Sequence, residues 1–316
     1  MVFFKKIGRL GLCFFSFLYD YKRYFLYSAW NQNYSQRDER NYTAVKIYHS
    51  LEKSLSLKDR KENAGWENTK LLHSVVIKAL DSGNLGFQDK VGLNVLKQFT
   101  GQLTAIPEAQ KIHGELDAYA AFVENIGGVK SFGEKDFRRG ELPDPESFFL
   151  SRYTLRDFSK QIVESSTVER AVRLAMKSPS VCNRQAWHIY DLKTPSAIVS
   201  ALSCQNGNRG FGHKIKRLLV VTTDLRAFVS PKERYQHWID GGMFAMSLVW
   251  AFHSLGVASC CLNWSQDPSD DIKFRQLVPI KSEHSVIMLI ALGYPDEENK
   301  VCVSARRPLA EVYTQL

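Results

Sequence analysis

The chain has no C-x-x-C pair, and its six cysteines are scattered at positions without zinc-ligand spacing: Cys13, Cys182, Cys204, Cys260, Cys261 and Cys302. A reduced, cytoplasmic chain is therefore the expectation. Runs of about five like charges are also missing, so a net charge of +9 does not describe a nucleic-acid groove, and no nucleic-acid partner is expected. Ten prolines and 19 glycines are ordinary and exclude collagen-like and proline-rich classes. A hydrophobic fraction of 44% excludes a disordered chain. No Walker loop, G-x-G-x-x-G fingerprint or H-E-x-x-H string occurs. Nor does a Ser-His-Asp order, a Cys-His pair or a paired-carboxylate pattern stand out.

What is present divides by texture. With 316 residues, about two domains of ~150 residues each are expected. Residues 35–125 read as helices: Tyr42, Val45, Ile47, Tyr48, Leu51 and Leu55 recur near helical spacing, as do Leu71, Leu72, Val75, Val76 and Leu80. The string from Asp81 to Asn84 supplies a stop, and Pro107 suits a first helical turn. Residues 131–147, with Pro143 and Pro145, read as a connector. Beyond Phe148, β-branched runs at 218–223 and 285–292 alternate with helix patterns at 167–177 and 240–255. The expected division is a helical region, 1–147, followed by an α/β-textured one, 148–316.

Residues 1–30 combine Phe3, Phe4, Phe14, Phe15, Phe17, Phe25 and Trp30 with Lys5, Lys6, Arg9, Lys22 and Arg23. Their longest apolar stretch, Gly11 to Tyr19, is about half of the ~20 residues a bilayer span needs. Tyr-Asp-Tyr-Lys-Arg-Tyr follows in place of a cleavage site, which argues against secretion. A helix packed on its own protein or on a dimer partner is the commoner reading. The alternative is a basic, aromatic interfacial helix in peripheral contact with an anionic membrane.

Further along, His49, Glu52 and Lys53 share a helix face and could hold an anion or a proton, although a salt-bridged face is the commoner outcome. His73 and His113 have no partner at useful spacing and read as structural. In Arg152-Tyr-Thr154-Leu-Arg156, alternate residues of an extended segment point the same way and suit a phosphate or polyol. The loop Ser178–His188 brings small and amide residues up to Trp187, which suits close approach to a flat ring or a core plug. A glycine-rich turn spans Gln205–Gly212. The nearly all-round apolar helix from Trp238 to Leu255 must be buried on most faces, small residues at its start suit a close crossing as in a tight dimer, and Gly256 is placed as its C-cap. Cys260 and Cys261 after it read as buried small residues. Arg306 and Arg307 offer late cations. Arginines, hydroxyls and amides without an acid–base pair suggest that a bound cofactor carries the chemistry.

In order and spacing these strings, over residues ~148–316, resemble the nitroreductase family of FMN-dependent oxidoreductases. The resemblance assigns the FMN phosphate and pyrimidine grip to Arg152, Tyr153, Thr154 and Arg156, with Tyr153 and Thr154 replacing the usual residues. It assigns the loop against the isoalloxazine to Pro179, Ser180, Asn183, Gln185 and Trp187, with Ala186 in place of a proline. Cys261, Leu262 and Asn263 fall on the stretch that covers the flavin, Arg306 on the phosphate-holding basic residue, and Asn208 on a flavin-edge amide. The implied fold is α+β, a mixed, largely antiparallel sheet flanked by helices, here behind an all-helical N-terminal region. The implied assembly is a homodimer with FMN at its interface. The implied activity is ping-pong hydride transfer from NAD(P)H through flavin N5 to an electron-poor small molecule such as a nitroaromatic or quinone, with Arg156 stabilising the reduced flavin and neither a separate catalytic base nor a metal. The Tyr-His-Ser-Leu-Glu-Lys string at 48–53 is similar to the extension of nitroreductase-like proteins associated with polysaccharide synthesis. An accessory or flavin-holding role in envelope-polysaccharide assembly is the alternative it implies.

Overall fold

The computed structural model describes residues 2–31, 33–61, 64–123 and 126–316; the side chains of Phe3, Phe4, Lys5, Lys6 and Arg9 lie outside the described residues. The first long element, α1 (Val2–Tyr27), stands apart in character from the helices that follow. Those are α2 (Arg37–Ser56), α3 (Trp66–Asp81), α4 (Phe87–Thr100) and α5 (Pro107–Glu115). They enclose one core: Ala44, Ile47, Tyr48 and Leu51 of α2 meet Leu72, Val75 and Val76 of α3 and Val95, Leu96 and Phe99 of α4. The i, i+3, i+4, i+7 spacing on α2 is what lets one stripe do this. Pro107 opens α5, and Gly83 at φ +62° closes α3 in the left-handed region that favours glycine.

The connector is more ordered than its prolines suggest. It holds α6 (Glu134–Arg138) and α7 (Pro145–Leu150), both exposed. Pro145 starts α7 in a first-turn position where its missing N–H costs nothing, and Asp144 caps it by accepting from Ser147 N at 2.9 Å.

The remainder is a sheet with helices on both faces: α8 (Ser165–Ala175), β1 (Trp187–Leu192), α9 (Pro195–Leu202), β2 (Arg217–Asp224), α10 (Gln236–Ser254), β3 (Ala258–Asn263), α11 (Pro268–Leu277) and β4 (His284–Gly293). Strand order is β1-β2-β4-β3, every pairing antiparallel, and Thr154 adds a parallel bridge to Ser259 on the outer edge of β3. The class is thus α+β with a largely antiparallel sheet. Leu219 and Val221 of β2 face α8 and α10, while Leu218 and Val220 face the opposite core, which holds Ile198 and Phe274. Alternation explains why β2 is buried throughout.

Helix α10 departs from the expectation of burial on most faces. Phe244, Leu248 and Phe252 pack on the sheet, but Ile239, Met243 and Met246 remain exposed, because a single chain covers only the sheet side. Of the small residues at its start, Gly241 serves that sheet contact, since a Cβ there would lie 2.5 Å from Ile287 Cγ1, while Gly242 faces open space. The helix ends in a Schellman turn, with Gly256 at φ +72° and Val257 N donating to Phe252 O at 2.9 Å.

Candidate functional site

The residues singled out in the sequence fall into separate groups. On the β3 edge, Leu155 N donates to Ser259 O at 3.2 Å, which holds the segment 152–156 extended along the strand. The Arg152 guanidinium lies over the Trp250 ring, 5.9 Å from its centroid, and Arg156 Nη1 lies 3.6 Å from Cys302 Sγ. Neither arginine is paired with a carboxylate among the described residues. Two guanidinium groups without a carboxylate partner on one strand edge have the donors to bind an anion. Thr154 is half-buried between them, and Tyr153 is exposed.

Cys261 and Leu262 lie on β3 itself. Cys261 is exposed at the edge, contrary to its reading as a buried residue, because alternation along β3 sends Cys260 and Leu262 into the core and Cys261 outward. Burial pushes the Cys260 thiol up to about 11, so it is not a thiolate at neutral pH. Asn263 Nδ2 donates to Ser265 Oγ at 2.8 Å, and its carbonyl accepts from Gln205 Nε2 at 3.1 Å. That bond draws the 205–212 turn against the end of β3. Within the turn Asn208 Nδ2 donates to the carbonyls of Leu202 and Gln205, so its amide nitrogen closes its own loop. Arg306 lies in an exposed C-terminal arm, where it donates to the carbonyl of Ser304.

The loop after α8 sits at the other edge of the sheet and leads into β1. Cys182, Asn183 and Gln185 all have positive φ (50°, 54° and 52°), an accumulation of left-handed conformations outside glycine that surrounding structure must enforce. The brace is visible. Arg184, side chain fully buried, pairs with Glu233 at 2.7 Å, and Asp240 of α10 accepts from Val181 N at 3.1 Å. Ser180 Oγ accepts from Gln185 N at 3.0 Å, and Gln185 Nε2 donates to Asn183 O at 3.2 Å. Pro179 precedes this turn. Trp187, half-buried, stacks on Phe244 with centroids 4.7 Å apart and planes 2° from parallel, packing one face of its ring on the core. Arg184, Glu233 and Asp240 drew no attention in sequence, since nothing local marks a buried brace.

Beside this loop, a cavity of about 600 Å³ runs along β1, lined among others by Tyr42, Gln185, Trp187, His188, Phe244 and His284. Tyr190 Oη accepts from Lys281 N at 2.9 Å and lies 2.9 Å from His284 Nδ1, which is also 3.2 Å from Thr222 Oγ1. Burial holds His284 down at about 4, against the pull of Asp224. Burial also lowers His188, with Lys281 adding to it. The histidines are therefore neutral, not charged, at this cavity.

In the helical region His49 Nδ1 lies 3.1 Å from Glu52 Oε2, and Glu52 Oε1 accepts from Gly128 N at 2.8 Å. This pair fastens a loop rather than presenting an open cluster. His73 and His113 do have partners, supplied by the fold and not by sequence spacing: Glu115 at 3.3 Å and Thr100 Oγ1 at 3.0 Å. No metal-binding group of His, Cys, Asp or Glu occurs among the described residues.

The β3-edge group and the β1-side loop occupy opposite margins of the sheet, with β2 and β4 between them. The model of the Nitroreductase family matches residues 150–210, a stretch that contains the segment 152–156, the loop 179–187 and Asn208. Among solved structures, an FMN-dependent nitroreductase from Clostridium difficile is similar at 23% identity and a TM-score of 0.43, with 49% of this chain and 90% of that one covered. A nitroreductase family protein from Streptococcus pneumoniae is similar at 20% identity and a TM-score of 0.46, covering 54% and 98%. No curated protein sequence matches the chain.

Proposed function

We propose that the chain is an FMN-dependent oxidoreductase of the nitroreductase kind, taking electrons from NAD(P)H and passing them to an electron-poor small molecule. The observation that carries this reading is the pair Arg152 and Arg156, guanidinium groups without a carboxylate partner on the β3 edge, inside the stretch matched by the family model. The donor set fits the cofactor. Arg152, Thr154 and Arg156 offer charge-assisted hydrogen bonds to a phosphate and to an anionic ring edge, and the braced loop of Pro179, Ser180, Asn183 and Gln185 offers amide and hydroxyl groups to a flat ring. FMN, when bound, would supply two-electron hydride chemistry at N5. The chain's own task is then to bind, to hold a cation near the ring edge that becomes anionic, and to keep a wall against it.

A homodimer follows from the same reading. One chain carries its cationic and amide groups on opposite sheet edges, and a second copy could set the loop of one subunit against the arginines of the other. The exposed Ile239, Met243 and Met246 on α10, and the C-terminal arm whose Val303 is 82% exposed, support such an assembly. Arg306 on that arm would reach the phosphate. Tyr153, Cys261, Leu262, Asn263 and Asn208 would border the same space from β3 and its neighbouring turn.

The test is the purified full chain. A yellow dimer with a flavin absorption band that bleaches anaerobically with NADH or NADPH supports the proposal. A colourless protein that ignores added FMN removes it.

A further inference from the structure

Helix α1 is attached to the protein by its polar side. Tyr19 Oη donates to Asp271 Oδ2 at 2.6 Å, Arg23 Nη2 donates to the carbonyls of Ser282 and His284 at 2.9 and 3.0 Å, and Tyr24 Oη donates to Ser230 O at 2.9 Å. These residues lie within about one turn of each other on one face. The opposite face carries Leu10 (73% exposed), Phe14, Phe17, Leu18, Tyr21 and Phe25, all open to solvent. An ordinary surface helix is turned the other way, with its apolar stripe on the core.

The charge of this segment is predominantly of one sign. Between residues 1 and 30 the sequence holds Lys5, Lys6, Arg9, Lys22 and Arg23 against Asp20 alone. Asp20, although exposed, lines a crevice with Ser16, Arg23 and Asp271, and Lys22, one turn beyond Leu18, is exposed on the apolar side. At the C-terminal end Trp30 stacks on Phe25 at 5.3 Å and remains 58% exposed, an amphipathic ring of the type found at membrane–water boundaries. No helix among the described residues is long and apolar enough to cross a membrane.

We propose that α1 is an in-plane anchor whose outward face lies in the surface of a membrane containing anionic lipid. Its large apolar side chains enter the acyl boundary and its cations meet the headgroups. A second copy is the poorer occupant. Two such segments set against each other would bring together two net charges of +4, five Lys and Arg against one Asp in each.

Flotation of the full chain with lipid vesicles tests this. Co-flotation with phosphatidylcholine–phosphatidylglycerol vesicles, weaker with phosphatidylcholine alone and reduced by salt, is the expected result. Lys22→Gln should weaken binding about fivefold at low salt, the equivalent of ~1 kcal/mol for one surface cation. The double variant Phe14→Glu/Phe17→Glu should abolish it while circular dichroism and the melting temperature stay unchanged, since neither side chain packs on the body. Absence of flotation with either vesicle overturns the proposal. So does undiminished flotation of the double variant, or concentration-dependent self-association through this face that vesicles fail to compete.

Discussion

The Arg226 guanidinium stands 3.3 Å from Asp38, joining the turn after β2 to the first turn of α2 across 188 residues of sequence. The same group binds Asp224 at 2.7 Å and Glu283 at 3.2 Å, so one cation gathers carboxylates from three parts of the chain. Asp38 is half-exposed, and Asp38→Asn should cost less than about 1 kcal/mol. Arg226→Met should cost about 3–5 kcal/mol, because it strands the buried Asp224 charge. Urea unfolding of both variants measures the contrast; equal losses would show that the pairing with α2 is the dominant contribution.

Inside the helical region Arg40 and Asp89 form a pair with side chains 1% and 0% exposed, and Asp89 also accepts from Gly86 N at 2.8 Å. Asp89→Ala leaves a buried guanidinium without its anion and should cost about 3–5 kcal/mol. Hydrogen exchange should localise the loss to α2, α3 and α4 while β2 and β4 keep their protection. Uniform loss across the chain would show that the two cores unfold together.

Acid should destabilise the fold through His284 and His237. Burial holds both near 4, while an unfolded histidine titrates near ~6.5. Between those values the unfolded chain binds more protons, so their contribution is complete above about pH 6.5 and declines as pH falls toward 4. The slope is about 1.4 kcal/mol per pH unit for each histidine. Denaturation at pH 7 and pH 5 should reveal the drop, with a smaller drop in His284→Gln; a pH-independent midpoint contradicts it.

Gly241→Ala places a methyl 2.5 Å from Ile287 Cγ1 and 3.0 Å from Thr223 Cγ2. Overpacking at this crossing of α10 on the sheet should cost about 1–3 kcal/mol. Ile287→Ala on the same background removes the clash, so the two losses should be less than additive in a double-mutant cycle. Strict additivity would mean that α10 shifts instead.

If the flavin reading holds, Arg156→Ala and Arg306→Ala should each weaken FMN binding by about 1.5–3 kcal/mol, the cost of one hydrogen bond to a charged group. Fluorescence titration of the apo-protein reads this directly. Retention unchanged in Arg306→Ala would take the C-terminal arm out of the site.

Much of the architecture was legible in residue order. Helical periodicity along α2 and α3, Pro107 at a first turn, Gly256 at a C-cap and the apolar runs of β2 and β4 are local signals, and local signals survive without knowledge of neighbours. The candidate residues were picked out as short strings in characteristic order, and the fold distributes them over two edges of the sheet. Strand β3 was not. Ala-Ser-Cys-Cys has little intrinsic preference for a strand, and pairing with β4 decides its conformation.

Sequence alone thus marked the helical periodicity of α2 and α3, the turn residues Pro107 and Gly256 and the buried runs of β2 and β4, and it singled out arginines and amides as candidates for one ligand. Only the tertiary structure decided that those groups stand on opposite sheet edges, that Arg184 and Asp240 hold a left-handed loop, and that α1 turns its apolar side away from the body. The reason is physical. Propensity and periodicity act over a few residues, whereas ion pairs, edge positions and the face a helix presents depend on partners tens to hundreds of residues away, and no spacing along the chain encodes them.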